Sequence, residues 1–198
     1  MSHHIYTTPA VVLASTPARE ADRRYTLLTE QFGIIWANAL GVRRNTSKLR
    51  YALQDFSMLS VSLVRGREYW RITNARADQN IYWRQQTNQQ LLETVARIFR
   101  LLTRLVPGEE KNEQLYQEVV NALDFVNSCN LSGDDVVAFE HIIVLRILRD
   151  LGYNSASHEL IQFLSSPWTH GVLHTIKIPD YTTYVVGDGE KRSYHFYI

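Results

Sequence analysis

The chain has 198 residues, 45% hydrophobic and 21% charged, with a net charge of +1. That balance fits one globular domain or two small ones sharing a core, and it excludes a low-complexity or disordered chain. Its apolar runs, such as Gly33-Ile34-Ile35-Trp36-Ala37 and Ile142-Ile143-Val144-Leu145, fall far short of the ~20 residues that span a bilayer, so no membrane segment is expected. Cys129 is the single cysteine and cannot form an internal disulfide, and no secretory leader is visible at the N-terminus. Both features lead to a cytoplasmic expectation.

Charge is unevenly placed. Residues 1–78 hold 11 Lys and Arg against 6 Asp and Glu, whereas residues 79–152 hold 7 against 10 and residues 153–198 hold 3 against 4. Such an asymmetry points to polyanion binding by the N-terminal segment, with a solvated basic face as the plainer reading.

Up to about residue 78 the texture is that of short strands. Tyr6 to Ser15 is rich in Val, Thr and Leu; Tyr25 to Thr29 and Ile34 to Leu40 follow; and Phe56 to Val64 alternates polar Ser57, Ser60 and Ser62 with apolar neighbours. Arg65-Gly66-Arg67 reads as a turn, with Tyr69 to Thr73 as the returning strand. Five short strands in so few residues predict a small barrel of the OB type, and hence an α+β fold.

Beyond Asp78 the period lengthens. Leu91, Leu92, Val95, Ile98, Phe99, Leu102 and Leu105 share one helical face, ended by Pro107-Gly108. A second helix is expected over residues 109–128, with Leu115, Val119, Ala122, Leu123 and Val126 inward and Glu109, Glu110 and Glu113 in its first turn. Ser132 or Asp134 is placed to cap a third, whose Val137, Ile142, Leu145, Leu148 and Leu151 face a core and which Gly152 closes. The expected organisation is a barrel over 1–78, helices over 79–153 and a C-terminal segment over 154–198. In that segment a short helix is expected from Ser157 to Leu164, then strands over Leu173 to Ile178, Tyr181 to Val186 and Ser193 to Ile198, the last two flanking a Gly187-Asp188-Gly189 hairpin turn.

Several motifs occur in a familiar order. They are Ala10-Val11-Val12-Leu13, Arg19-Glu20-Ala21-Asp22-Arg23, Thr26-Leu27-Leu28-Thr29 with Gly33, Gly41-Val42-Arg43-Arg44, Ser47-Lys48-Leu49-Arg50, Leu53-Gln54-Asp55-Phe56, Arg65-Gly66 and Leu148-Arg149-Asp150-Leu151-Gly152-Tyr153. Over roughly residues 5–153 this ordered set resembles the RecO family of recombination mediators. Leu40 stands where that family usually has lysine and Asp55 where it has proline, and no cysteine follows Cys129 to form the four-cysteine zinc site of many members. The resemblance implies binding of single- and double-stranded DNA, strand annealing, and partnership with RecR and with the acidic tail of the single-strand-binding protein.

The residues offer matching chemistry. Arg43, Arg44, Lys48 and Arg50 are interleaved with Asn45, Thr46 and Ser47, giving charge and neutral donors for phosphate oxygens. Arg19, Arg23 and Arg24 form a second cluster and Arg65, Arg67 and Arg71 a third. Loops of a closed barrel can bring such clusters into one groove. Tyr51, or one of Tyr69 and Trp70, is the stacking candidate, whereas Trp36 in its apolar run is expected in the core.

Catalytic signatures are missing: there is no Walker lysine, no G-x-S-x-G and no two-glycine phosphate fingerprint. His170 and His174, with His158, have the composition of a metal site but lack the H-E-x-x-H glutamate. A non-catalytic protein without cofactor is expected. The alternatives are an adaptor that has lost DNA binding, a histidine-based metalloenzyme, and a barrel that binds RNA.

Overall fold

The computed structural model describes residues 4–153 and 164–175. Strands β1 (Ile5–Pro17), β2 (Arg23–Thr29), β3 (Gly33–Ala39), β4 (Ser57–Arg65) and β5 (Trp70–Asn80) form a closed barrel in the order β1-β2-β3-β5-β4, with β4 pairing back onto β1. A short helix α1 (Leu49–Ala52) joins β3 to β4. This is the OB arrangement expected from the sequence. Among the described residues these helices follow: α2 (Ile81–Gln85), α3 (Gln89–Leu105), α4 (Glu113–Ser128), α5 (Asp134–Asp150) and α6 (His170–Thr175). No helix among the described residues is long and apolar enough to cross a membrane.

Strand alternation builds two cores. Ala10 and Val12 of β1, Tyr25 and Leu27 of β2, Ile35 and Ala37 of β3 and Leu59, Val61 and Leu63 of β4 fill the barrel. Burial of the Tyr25 hydroxyl, partly offset by the Arg23 charge, pushes its pKa up to about 12. The intervening Val11, Leu13, Leu28 and Ile34 point outward and join Leu91, Val95, Ile98, Phe99 and Leu102 of α3 in the second core. Strands buried on both faces read as unbroken apolar runs, which is why Ala10 to Leu13 shows no alternation. At ~1.5–3 kcal/mol per buried Val, Leu or Ile, this shared layer is the main force holding the helices to the barrel.

The α3–α4 connector adds a second attachment. Gly108 makes a parallel bridge with Ile34, and the Glu109 N–H donates to the Ile34 carbonyl at 2.8 Å. The connector thus covers the start of β3, since β5 pairs with β3 at Ala37 and Asn38. The Glu109 carboxylate then accepts from Arg65 at 2.9 Å and from the Trp70 indole at 3.2 Å.

Several details depart from the sequence reading. β5 runs on to Asn80 because Thr73 to Asp78, although mostly exposed, keep pairing with β4. α4 starts at Glu113, where the Asn112 side chain caps the Leu115 N–H at 2.9 Å, so Glu109 and Glu110 belong to the connector and not to a helical turn. α5 is entered through Gly133 (φ 53°) with no side-chain cap from Ser132 or Asp134, and Val136 takes the inward position expected of the exposed Val137. Its end is as expected: Gly152 (φ 77°) lets the Tyr153 N–H return to the Leu148 carbonyl at 2.9 Å. Residues 173–175 are helical and not the start of a strand, because Val172 and Leu173 turn into the second core. Of the helix expected over Ser157 to Leu164 the described residues include Leu164, which is helical, and the strands and hairpin expected after residue 175 lie outside them.

Candidate nucleic-acid interface

The β1–β2 loop (residues 18–22) and the β3–α1 loop (residues 40–48) are fastened together. The Gly41 N–H donates to Asp22 Oδ1 at 2.7 Å, the Arg43 N–H donates to the Ala21 carbonyl at 3.0 Å, and the Arg43 guanidinium donates to the Glu20 carbonyl at 3.0 Å. Two basic clusters some twenty residues apart in sequence therefore share one rim. Arg19, Arg43, Arg44, Lys48 and Arg50 are exposed there, and Arg50 also donates to Asn45 Oδ1 at 2.8 Å. Gly41 has φ 63°, a conformation that glycine adopts without strain.

The rim continues across the outer face of the barrel. Arg24 of β2 pairs in register with Asn38 of β3, which pairs with Arg71 of β5, so the three stand in one row. The neighbouring row of Tyr25, Ala37 and Trp70 is buried inside the barrel, so the Arg24 row faces outward. The Arg24 guanidinium lies over the Tyr69 ring, 4.1 Å from its centroid, linking β2 to the β4–β5 loop. Gly66 allows that loop to close, since a Cβ there would meet the Tyr69 carbonyl oxygen at 2.3 Å. Arg23 sits half-buried at the start of β2, and Arg67 is exposed in the β4–β5 loop.

Arg65 is different: it is tied to Glu109 and lies over the Trp70 ring at 5.4 Å, so it serves the connector. Of the aromatic candidates, Trp70 is buried and Tyr69 is held by Arg24, while Tyr51 is 75% exposed. Trp36, expected in the core, is 42% exposed. It shares its face with Thr26 and rests on Gly108, so strand alternation overrides its apolar neighbours. Tyr82 and Trp83, both exposed, escaped the sequence reading altogether.

The two described histidines of the candidate set each face another side chain. His170 meets Phe125 edge-on at 5.8 Å and His174 faces Asp135 at 3.7 Å, while His158 lies outside the described residues. Among the described residues no group of three or more His, Cys, Asp or Glu is placed to hold a metal ion.

Two family models match the chain: the recombination protein O N-terminal model over residues 1–80 and its C-terminal model over residues 93–164. The chain belongs to the RecO family. Among similar RecO proteins, the DNA repair protein RecO of Dehalococcoides mccartyi is 30% identical over 121 residues, covering 61% of this chain and 47% of the relative. That of Pelotomaculum thermopropionicum is 27% identical over 149 residues, covering 75% and 56%. That of a Nocardioides species is 42% identical over 71 residues, covering 36% and 29%. The chain thus spans about half the length, or less, of these RecO relatives. The matching models are named for recombination protein O and the relatives are named DNA repair proteins.

Proposed function

We propose that this chain is a non-catalytic, DNA-binding recombination mediator whose basic rim holds the phosphates of single- and double-stranded DNA and favours annealing. RecR and the single-strand-binding protein are the partners that the family implies. The observation that carries the reading is the fastening of the β1–β2 and β3–α1 loops through Asp22 and Arg43, which gathers Arg19, Arg43, Arg44 and Lys48 on one rim. A row of Arg24, Asn38 and Arg71 extends that rim along the barrel face. In this reading Arg43, Arg44, Lys48 and Arg50 hold backbone phosphates without reading bases, and the bound cations lower the repulsion between two strands as they pair.

The test is affinity for a labelled single-stranded oligonucleotide across a salt series, for the wild type and an Arg43→Ala/Arg44→Ala/Lys48→Ala variant. The variant should bind more weakly with a shallower log–log slope, losing ~0.7 per phosphate contact removed. Equal binding by the two proteins moves the site elsewhere. Leu40, 55% exposed on the same loop where the family usually carries lysine, favours a second reading, an adaptor without DNA binding. That reading wins if neither protein binds.

A further inference from the structure

We infer that Tyr82 and Trp83, together with Tyr51, form a stacking platform for the unpaired bases of single-stranded nucleic acid. The inference rests on the proposed binding of phosphates at the neighbouring rim. Trp83 is 58% exposed, Tyr82 45% and Tyr51 75%, and large aromatic rings left open are the informative exception on a protein surface. α2 has already used its inward face: Ile81 is fully buried, and buried Gln85 donates to the Val126 carbonyl at 2.7 Å. Tyr82, Trp83 and Arg84 remain outside, the two rings with centroids 5.3 Å apart and planes at 80°.

The tryptophan is held in place. Its backbone N–H is capped by Asn80 at 3.2 Å, and its indole N–H donates to Gln54 Oε1 at 2.7 Å. With the one polar atom of the ring satisfied by the protein, the exposed part is apolar π-surface in a fixed orientation. Gln54 lies just beyond α1, the helix that carries Arg50 and Tyr51 and follows directly from the basic β3–α1 loop. The platform is therefore joined to the phosphate-binding rim by one short helix and one hydrogen bond.

The surroundings identify the occupant. Lys48 and Arg50, beside Tyr51 in sequence, and Arg84, beside Trp83, are exposed, Arg84 also donating to the Asn127 carbonyl at 3.1 Å, while the aliphatic side chains Ala52, Leu53 and Ile81 are buried. Exposed Trp, Tyr and Arg also make protein-binding hot spots; what favours a nucleic acid here is the continuity of the rings with the basic β3–α1 loop, through α1 and the Trp83–Gln54 hydrogen bond. Open rings set among cations and amides are the combination that binds single strands, where cations take the backbone and rings take the bases.

The experiment compares the wild type, Tyr82→Ala/Trp83→Ala, Trp83→Phe and the basic-loop triple variant. Each is titrated against a labelled oligothymidylate and against a duplex of equal length across a salt series. Thermal melts confirm folding, and sedimentation records the oligomeric state. The double variant should lose about tenfold or more on the single strand, with duplex affinity and salt slope unchanged. Trp83→Phe should recover most of the loss, because it keeps an aromatic face. Unchanged single-strand affinity in the double variant, with the triple variant still weakened, overturns the platform and spares the rim. Equal losses on both substrates, or a change of oligomeric state without a loss of single-strand binding, also overturn it. A wild type that binds neither substrate removes the rim and the platform together.

Discussion

Asp22 accepts the backbone N–H of Gly41 at 2.7 Å, so an acidic residue is the tether that holds a basic loop in place. Its negative charge stands in the midst of Arg19, Arg23 and Arg43, and net charge alone would count it against polyanion binding. The bond gives it the opposite role, and the two effects can be separated by substitution.

Asp22→Asn keeps an acceptor and removes the charge, so it should bind single-stranded DNA more tightly. Asp22→Ala removes both and should bind about two- to fivefold more weakly than Asp22→Asn, in line with the ~0.5–1 kcal/mol of a lost hydrogen bond. Hydrogen exchange at the Gly41 and Arg43 amides should quicken in Asp22→Ala only. If Asp22→Ala binds as tightly as Asp22→Asn, the tether does not matter to binding.

Glu118 plays a comparable part among the helices. It accepts from Arg146 at 3.0 Å and from the Trp168 indole at 2.9 Å, and the Arg146 guanidinium stacks on the Trp168 ring at 4.3 Å while donating to the Ser166 carbonyl at 2.6 Å. The Arg146 side chain is only 3% exposed. Glu118→Ala leaves that cation buried without its partner and should cost about 3–5 kcal/mol, read from urea denaturation. Protease should also cut sooner within residues 164–168, and a loss below about 1 kcal/mol would show that water replaces the carboxylate at little cost.

Gly33→Ala should damage the junction of barrel and helices. At φ +65° an added Cβ would lie 2.0 Å from the Glu110 carbonyl oxygen, a backbone atom that cannot step aside. The left-handed conformation costs ~1–2 kcal/mol for an L side chain even without the clash. The expected result is a lower denaturation midpoint and rapid exchange of the Glu109 amide, which donates to Ile34. A variant with wild-type stability would mean that the connector is dispensable.

His141 predicts a mild acid sensitivity. Its burial lowers its pKa from the usual 6.5, and the Glu140 charge opposes this in part. A histidine that takes its proton less readily when folded contributes stability that is complete above the unfolded value. That contribution fades as the pH falls below about 6.5 toward the lower folded value. Stability measured from pH 7.5 down to 5 should decline less steeply in His141→Gln than in the wild type. Parallel curves would rule the histidine out as a source.

Much of the fold was legible because its strands and helices obey their periods. β1 through β4 lie within a few residues of their expected positions. The second half of β5 was not, since Thr73 to Asp78 carry mostly exposed side chains and are held in the sheet by backbone pairing with β4. Val137 gave way to Val136 because Val136, Phe139, Ile143 and Ile147 follow one another at helical spacing on the buried face, and Val137 lies off it. The basic clusters could be seen as clusters, but their union depends on the backbone groups of Ala21, Glu20 and Gly41, which carry no sequence signal. Tyr82 and Trp83 did leave a trace: two adjacent aromatics within the polar stretch Gln79 to Gln86 sit about 100° apart on a helix, and Ile81 already occupies the inward face.

The Ile34–Gly108 bridge also has a bearing on how the chain comes into being. Nascent β3 must wait for a segment made after all five strands and the whole of α3, a delay on the order of seconds at ribosomal speed. Until then the Ile34 carbonyl, which accepts from Glu109 in the finished fold, has no such donor. A fragment ended at Asn80 would keep that gap permanently, offering a free strand edge on which copies can pair. Such a fragment should be prone to self-association, and one extended through Glu110 should be less so.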